Sequence, residues 1–249
     1  FPTPDHNKVG LGMKNTLTIA WKETRTYFVS PMAYIVIAVY AALAAYYFVI
    51  SISGVLPEAT IRGYIIPSTF IFTLLSPIIT MRLLAEEQKM GTLELLMTSP
   101  VRDYEIVLGK FLAALASLIS LLVPTIYLVL LLLWYGTPDT GPILSGYLGL
   151  ILFGMATLSV GLFASSLSGN QIVAAVIAMG ILLILSIIDQ ASTYVSGAFA
   201  EIVLQLSLTS HLQSFERGVV DTHDLVFYVI FTIFMLFLTV RSLESRRWR

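Results

Sequence analysis

Cysteine, histidine and charge are all scarce in this sequence. Its 249 residues include no cysteine and 3 histidines, and only 12% of them are charged. Without cysteine the chain has no disulfide, thiolate metal site or thiol nucleophile. Soluble domains carry about 25% charged residues, so a chain that is 57% hydrophobic would expose large apolar patches in water. The composition predicts a polytopic membrane protein, and the net charge of −1 gives no reason to expect a nucleic-acid partner.

Motifs of several common enzymes are also absent. The sequence has no G-x-x-x-x-G-K-[ST] and therefore no P-loop for ATP phosphates. It has no H-E-x-x-H and no G-x-S-x-G hydrolase motif either. His6, His211 and His223 are too scattered along the chain to predict a metal site. We therefore expect no enzyme activity and no catalytic, cofactor-binding or metal-binding residue in this chain.

Long uncharged segments predict six transmembrane helices. A helix needs about 20 apolar residues to cross a hydrocarbon core of ~30 Å. The predicted spans cover about residues 32–52, 64–81, 111–134, 143–164, 172–188 and 225–240. Their centres carry no ionisable residue, which argues against an ion-coupled transporter. The predicted fold is an all-α integral membrane protein with one transmembrane domain over residues 13–249, after a disordered leader over residues 1–12.

The distribution of lysine and arginine predicts the orientation. With six spans, 12 of the 14 lysines and arginines fall on the side of both termini, and only Arg62 and Arg217 fall on the other side. Basic residues accumulate in cytoplasmic loops. The termini are therefore predicted to be cytoplasmic.

Three segments outside the predicted spans have a recognisable pattern. Residues Asn15–Ser30 form an amphipathic pattern that predicts an interfacial helix. The cytoplasmic loop Arg82–Lys110 alternates leucines with charges, and it predicts a short helix, a break at Gly91 and a second helix that starts at Ser99–Pro100. Apolar residues on such a loop predict that another protein docks there. The outer segment Asp189–Asp224 predicts short helices that re-enter the outer leaflet.

Two motifs resemble a known family. Residues Glu86–Pro100, EEQKMGTLELLMTSP, resemble the first cytoplasmic loop of type-2 ABC exporter permeases, where an acidic pair precedes G-T-L-E-L-L and a proline. Residues Ser210–Asp221, SHLQSFERGVVD, resemble the outer segment before the sixth span of that family. The ending Arg246-Arg247-Trp248 resembles the gliding-motility branch. The resemblance covers roughly Met13–Arg249.

The resemblance implies a permease subunit in a bacterial inner membrane, surrounded by membrane lipids. A second permease, identical or related, would complete the translocation pathway, and two separate ABC ATPase subunits would bind ATP and Mg. Carboxylates of the implied coupling helix would pair with basic residues of the ATPase. The implied ATPase-coupling residues are Glu86, Glu87, Gly91, Thr92, Leu93, Glu94, Leu95, Leu96 and Met97. The implied outer-gate residues are His211, Phe215, Gly218 and Asp221.

Alternatives from other classes stay open at this point. A membrane anchor, or an assembly or mechanotransmission subunit that transports nothing, would share the apolar spans and the docking loop. A secondary transporter would require two similar halves, and the loop after the second span has no counterpart after the fifth. The substrate is also open, because uncharged spans suit a lipid, a glycolipid, a hydrophobic drug or a hydrophobic peptide.

Overall fold

The fold is a bundle of long helices. The computed structural model describes residues 6–53, 62–93, 101–136, 138–191 and 204–247. Within these ranges there is no β-strand, and six helices are long and apolar enough to cross a membrane. The predicted all-α membrane fold with six spans is therefore confirmed.

Nine α-helices follow one another along the described residues. In chain order they are α1 (His6–Val29), α2 (Pro31–Ile52), α3 (Arg62–Met90), α4 (Asp103–Leu122), α5 (Ile126–Tyr135), α6 (Thr140–Leu167), α7 (Gln171–Ala191), α8 (Gln213–Glu216) and α9 (Thr222–Arg247). Two 3₁₀ turns, Val123–Thr125 and Ser210–Leu212, precede α5 and α8. The third span consists of α4, the first 3₁₀ turn and α5. The α-helix is interrupted at this turn because Pro124 has no N–H to donate to the helical hydrogen-bond ladder.

The two ends of the bundle are distinguished by the helices that begin and end there. We call the end where α1 and α2 meet the basic end; α3 and α6 finish there, and α4 and α7 begin there. The opposite end holds the starts of α6 and α9. Residues 204–221, which belong to the predicted outer segment, also lie there and contain the second 3₁₀ turn and the short helix α8.

Helix α1 is longer than predicted. It begins at His6 rather than at Asn15, the predicted start of the amphipathic helix. Gly10 and Gly12 weaken a helix by about 1 kcal/mol each but do not end it. The helix ends where predicted, because Ser30 accepts the Met32 N–H at 3.3 Å and Pro31 starts α2.

The loop after the second span also differs from the prediction. Helix α3 continues through Pro67 and Pro77 to Met90, so the predicted short cytoplasmic helix is its last part. The first charged residues mark where the membrane-spanning part of α3 ends. The helix itself ends later, at Gly91, as predicted, because this glycine has a φ of 70°. Helix α4 begins at Asp103 rather than at Pro100, because the Glu105 carboxylate accepts the Arg102 N–H at 3.1 Å and caps the helix there.

Helix α6 forms the centre of the bundle and contacts α3, α4, α7 and α9. Its small residues permit these close approaches. A Cβ atom on Gly161 would lie 2.1 Å from Thr80 Oγ1 of α3, and one on Gly154 would lie 2.3 Å from Leu118 Cδ1 of α4. Other small residues of α4, α6 and α7, which lie at four-residue spacings that let helices pack closely in lipid, are also buried: Ala113, Ser117, Ser165, Ala174 and Ala178.

Hydroxyl groups connect the helices inside the bundle. Tyr40 and Tyr64 share a hydrogen bond of 2.9 Å, and Tyr64 donates to Thr125 Oγ1 at 3.2 Å. Tyr147 of α6 lies 2.8 Å from the same Thr125 oxygen. This chain of contacts joins α2, α3 and α6 at the 3₁₀ turn and satisfies polar groups that have no water partner in lipid.

Candidate functional site

A buried lysine joins three helices at the basic end. Lys110 of α4 is 1% exposed, and its Nζ lies 3.2 Å from Glu23 Oε1 of α1 and 2.9 Å from Glu87 Oε1 of α3. Both glutamates are largely buried. We call Glu23, Lys110 and Glu87 the lysine junction. Because a buried charge that loses its partner is costly, the junction holds α1 and α3 against α4.

Helix α1 has further contacts with α4. Asn15 Nδ2 donates to Glu105 Oε2 at 3.2 Å. Gly109 allows the two backbones to approach, since a Cβ atom there would lie 2.9 Å from the Thr16 carbonyl oxygen. Burial raises the pKa of the Tyr27 phenol and keeps it neutral. The other face of α1 is open, and Trp21 on it is 73% exposed. The helix is therefore docked on the bundle along one face and presents an apolar residue on the other.

Helix α6 contacts α3 where α3 leaves the predicted membrane-spanning segment. Ser165 Oγ accepts the N–H groups of Leu84 and Ala85, at 3.1 and 3.0 Å, and donates to the Met81 carbonyl oxygen at 3.1 Å. A side chain that bonds into the helical ladder in this way lets the helix bend. One turn later, Gln88 Nε2 donates to the Ser166 carbonyl oxygen at 3.0 Å. The last two turns of α3 are therefore bonded to the end of α6.

The structure describes part of the predicted coupling segment. Glu86 and Glu87 lie in the last turns of α3, Gly91 and Thr92 are exposed, and Leu93 is buried. Within the chain, Glu87 Oε1 pairs with Lys110, so this carboxylate has an intramolecular partner, and the predicted contact with an ATPase stays a prediction. The predicted residues outside the described ranges are Glu94, Leu95, Leu96 and Met97.

Sequence reasoning missed the lysine junction. Glu23 was not singled out, and Lys110 was counted only as one of the basic residues that set the orientation. A signal was nevertheless present, because Lys110 directly precedes the apolar run that starts at Phe111. A lysine at such a border either extends its ammonium to water or requires buried carboxylates. Only the packing of α1 against α4 decides between the two.

The predicted outer-gate residues come together at the opposite end. Phe215 is buried, and its carbonyl oxygen accepts the Ser145 hydroxyl of α6 at 2.6 Å. Gly218 has φ 89°, and a Cβ atom there would lie 3.1 Å from the Pro142 ring. Asp221 caps α9, since its Oδ1 accepts the His223 N–H at 2.9 Å. These residues hold the segment against the starts of α6 and α9.

The histidines that are distant in sequence are neighbours in the structure. The ring centroids of His211 and His223 are 5.6 Å apart, and His211 Nδ1 lies 2.7 Å from Asp224 Oδ1. Distance along the chain, which argued against a metal site of the three histidines, therefore does not separate His211 from His223 in space. The fold brings them together because the 3₁₀ turn packs beside the first turn of α9. A cavity of about 640 Å³, lined largely by apolar residues such as Phe227 and Phe231, continues along α9 from this point.

Comparison with known proteins gives a consistent result. The family model described as ABC-2 family transporter protein matches residues 17–219. Probable multidrug ABC transporter permease YbhS of Escherichia coli K12 is 33% identical over 130 residues, which cover 49% of this chain and 33% of YbhS. Probable multidrug ABC transporter permease YbhR of the same strain is 29% identical over 117 residues, which cover 46% of this chain and 31% of YbhR. The chain thus spans about a third of the length of these curated relatives.

Proposed function

We propose, from the premise that this chain belongs to the ABC-2 family of transporter proteins, that it is the permease subunit of an ATP-driven exporter. With a second copy or a related chain it forms the translocation pathway. Two separate ABC ATPase subunits bind ATP and Mg and drive the transport. The assembly lies in a bacterial inner membrane with both termini of the chain in the cytoplasm.

The observation that carries this proposal is the continuity of α3. This helix runs without interruption from the core to Met90, directly before the predicted coupling segment. Lys110 joins its last part to α1 and α4, and Ser165 joins it to α6. A displacement of residues 91–97 by an ATPase would therefore be transmitted to four helices at once. Such coupling through rigid, bonded helices is what an energy-transmitting subunit requires.

The substrate class follows from the composition of the spans. Their residues are predominantly apolar, and the two named relatives carry the words "multidrug ABC transporter permease" in their names. We expect a hydrophobic or amphiphilic molecule rather than an ion. The alternative, a subunit that anchors or assembles a complex and transports nothing, is separated from transport by the assay below.

The docking assignment is tested by changing the predicted coupling segment. Proline at position 91 cannot adopt the φ of 70° that Gly91 has, and Leu95→Asp places a charge among the predicted apolar anchors. We expect the Gly91→Pro/Leu95→Asp variant to lose co-purification with a co-expressed ABC ATPase that the wild-type chain retains. The matched control is Val219→Asp, which changes an exposed apolar residue at the opposite end and keeps the ATPase.

Two outcomes would contradict the proposal. A double variant that retains the ATPase and stimulates its turnover normally would show that residues 91–97 do not dock. A wild-type complex that hydrolyses ATP in inside-out vesicles, yet accumulates no hydrophobic fluorescent probe such as ethidium or Hoechst 33342, would favour the anchoring alternative.

The orientation is tested by cysteine labelling, for which a chain without native cysteine is well suited. Thr92→Cys and Val219→Cys each place one thiol at an exposed position, the first at the basic end and the second at the opposite end. A membrane-impermeant maleimide should label the Val219→Cys variant in intact cells and the Thr92→Cys variant only after permeabilisation. The reverse pattern would place the termini outside the cytoplasm.

A further inference from the structure

Three metal-ligating side chains lie together at the opposite end of the bundle. His211 belongs to the 3₁₀ turn Ser210–Leu212, and His223 and Asp224 belong to the first turn of α9. One ligand atom from each lies within 4.8 Å of the other two. Asp224 Oδ1 is 2.7 Å from His211 Nδ1 and 3.7 Å from His223 Nδ1. The cluster therefore has two imidazoles around one carboxylate.

The hydrogen bonds of His211 determine which of its nitrogens is a ligand. Its Nε2 lies 3.2 Å from the Gln205 carbonyl oxygen, which only accepts, so Nε2 carries the proton of this bond. In a neutral imidazole, Nδ1 then has a lone pair that faces the Asp224 carboxylate at 2.7 Å. A second proton on Nδ1 would make this contact a charged hydrogen bond, whereas a metal ion in its place would require Nδ1 and Asp224 Oδ1 to move apart from 2.7 Å to the roughly 3.3 Å spacing of tetrahedral ligand atoms. A histidine that donates its other N–H to a carbonyl oxygen is the usual arrangement of a metal ligand.

The surroundings hold this ligand in place and leave the cluster accessible. The His211 ring stacks on Phe227 with a centroid distance of 3.9 Å and an interplanar angle of 21°. His211 and Asp224 are buried, whereas the His223 side chain is 70% exposed. A tetrahedral Zn²⁺ site spaces its ligand atoms roughly 3.3 Å apart, so the exposed His223 imidazole would move closer and the 2.7 Å contact between His211 and Asp224 would open. The exposure of His223 also provides an entry path and a position for a water ligand.

From this geometry we infer that His211, His223 and Asp224 form a binding site for a divalent transition-metal ion, with Zn²⁺ as the expected occupant. Two imidazole nitrogens and one carboxylate suit Zn²⁺, whereas Mg²⁺ and Ca²⁺ prefer oxygen ligands. The bound ion joins the 3₁₀ turn to the first turn of α9. It thereby stabilises the segment that covers the start of α6. The inference does not depend on the proposed transport function.

Metal binding by the purified full-length chain tests this inference. The chain has 3 histidines and no cysteine. If the purification tag contains no histidine, the imidazole ligands are limited to His6, His211 and His223, and there is no thiolate ligand. We expect one Zn²⁺ per chain by elemental analysis after dialysis, and a Zn²⁺-dependent rise of the melting temperature in detergent that Mg²⁺ does not reproduce. With Co²⁺ in place of Zn²⁺, we expect visible d–d bands of a four-coordinate site.

Variants separate the proposed ligands from the remaining histidine. His223→Ala changes an exposed side chain and therefore leaves the fold intact. It should nevertheless weaken Zn²⁺ binding at least about 10-fold, because loss of a group that only hydrogen-bonds a metal ligand already costs about that much affinity. His211→Ala and Asp224→Asn should weaken binding as well, whereas His6→Ala should bind Zn²⁺ like the wild type. The inference is overturned if wild-type chain binds no more Zn²⁺ than His223→Ala. In that case the His211–Asp224 contact is an imidazolium–carboxylate pair.

Discussion

Replacing Lys110 by methionine is the perturbation that tests the lysine junction most directly. Methionine keeps an unbranched apolar stem of similar size and removes the terminal ammonium group with its charge. The lysine Nζ lies 2.9 Å from one carboxylate and 3.2 Å from the other. At an effective dielectric constant of 20, each contact has a Coulomb energy of roughly 5 kcal/mol before the desolvation penalty is subtracted. The change leaves two largely buried carboxylates without their cation.

We expect Lys110→Met to lower the free energy of unfolding by about 3 kcal/mol. Removal of one partner of a buried ion pair costs about 3–5 kcal/mol, and the residual exposure of Glu23 and Glu87, 18% and 17%, favours the lower end. The matched control is Lys22→Met. Lys22 Nζ lies 3.9 Å from the same Glu23 oxygen but is 71% exposed, so its loss should cost no more than about 0.5 kcal/mol.

The assay is unfolding of the detergent-solubilised chain by SDS titration, followed by circular dichroism. A double-mutant cycle of Lys110→Met with Glu23→Gln should give a coupling energy of ~1–3 kcal/mol. A value near zero, or a Lys110→Met variant as stable as Lys22→Met, would refute the reasoning that the junction holds α1 against α4. If the junction also transmits movement, Lys110→Met should still bind the ATPase but reduce substrate-stimulated ATP hydrolysis.

Two further predictions concern packing and hydrogen bonding inside the bundle. Gly161→Ala would place a Cβ atom 2.1 Å from Thr80 Oγ1, and we expect this overpacking to cost about 1–3 kcal/mol. Gly180→Ala, whose Cβ atom would meet no atom within 4 Å, should be neutral or stabilising in the same SDS unfolding assay. Tyr64→Phe removes the hydroxyl that bonds Tyr40 and Thr125 and should lower the free energy of unfolding by about 1–2 kcal/mol. Tyr127→Phe, at an exposed tyrosine, is the control, and an equal loss of stability in this variant would contradict the role given to the hydroxyl contacts.

Helix ends were harder to predict than spans, and α3 shows why. Its membrane-spanning part was predicted to end at Met81, but the helix continues to Met90. Hydropathy reports where charged groups leave the hydrocarbon core, whereas a helix ends where its backbone geometry changes. Gly91 supplied the correct end because glycine favours the positive φ found there. The start at Asp103 was missed because the cap is a side-chain contact from Glu105.

Part of the candidate site was accessible from sequence motifs, and part was not. The coupling segment and the outer segment could be predicted because their residues are contiguous and resemble a family, and their roles stay predictions. The lysine junction joins Glu23 to Lys110, which are 87 positions apart, and no local pattern marks that pair. Likewise, no metal site was predicted from His6, His211 and His223 because they are scattered along the chain, and Asp224 was not considered with them. His211, His223 and Asp224 meet only because the 3₁₀ turn packs against α9.

The sequence by itself determined the solvent of this protein, the number of its spans and the family to which it belongs. The first two follow from the cost of placing charge in hydrocarbon, which accumulates along the chain and needs no knowledge of contacts, and the family follows from similarity along the sequence. The tertiary structure decided which charges neutralise one another, which glycines permit close helix contacts and which histidines become neighbours. Such pairings depend on how helices that are distant in sequence are arranged in space, and the energy of each pair arises only after the bundle has packed.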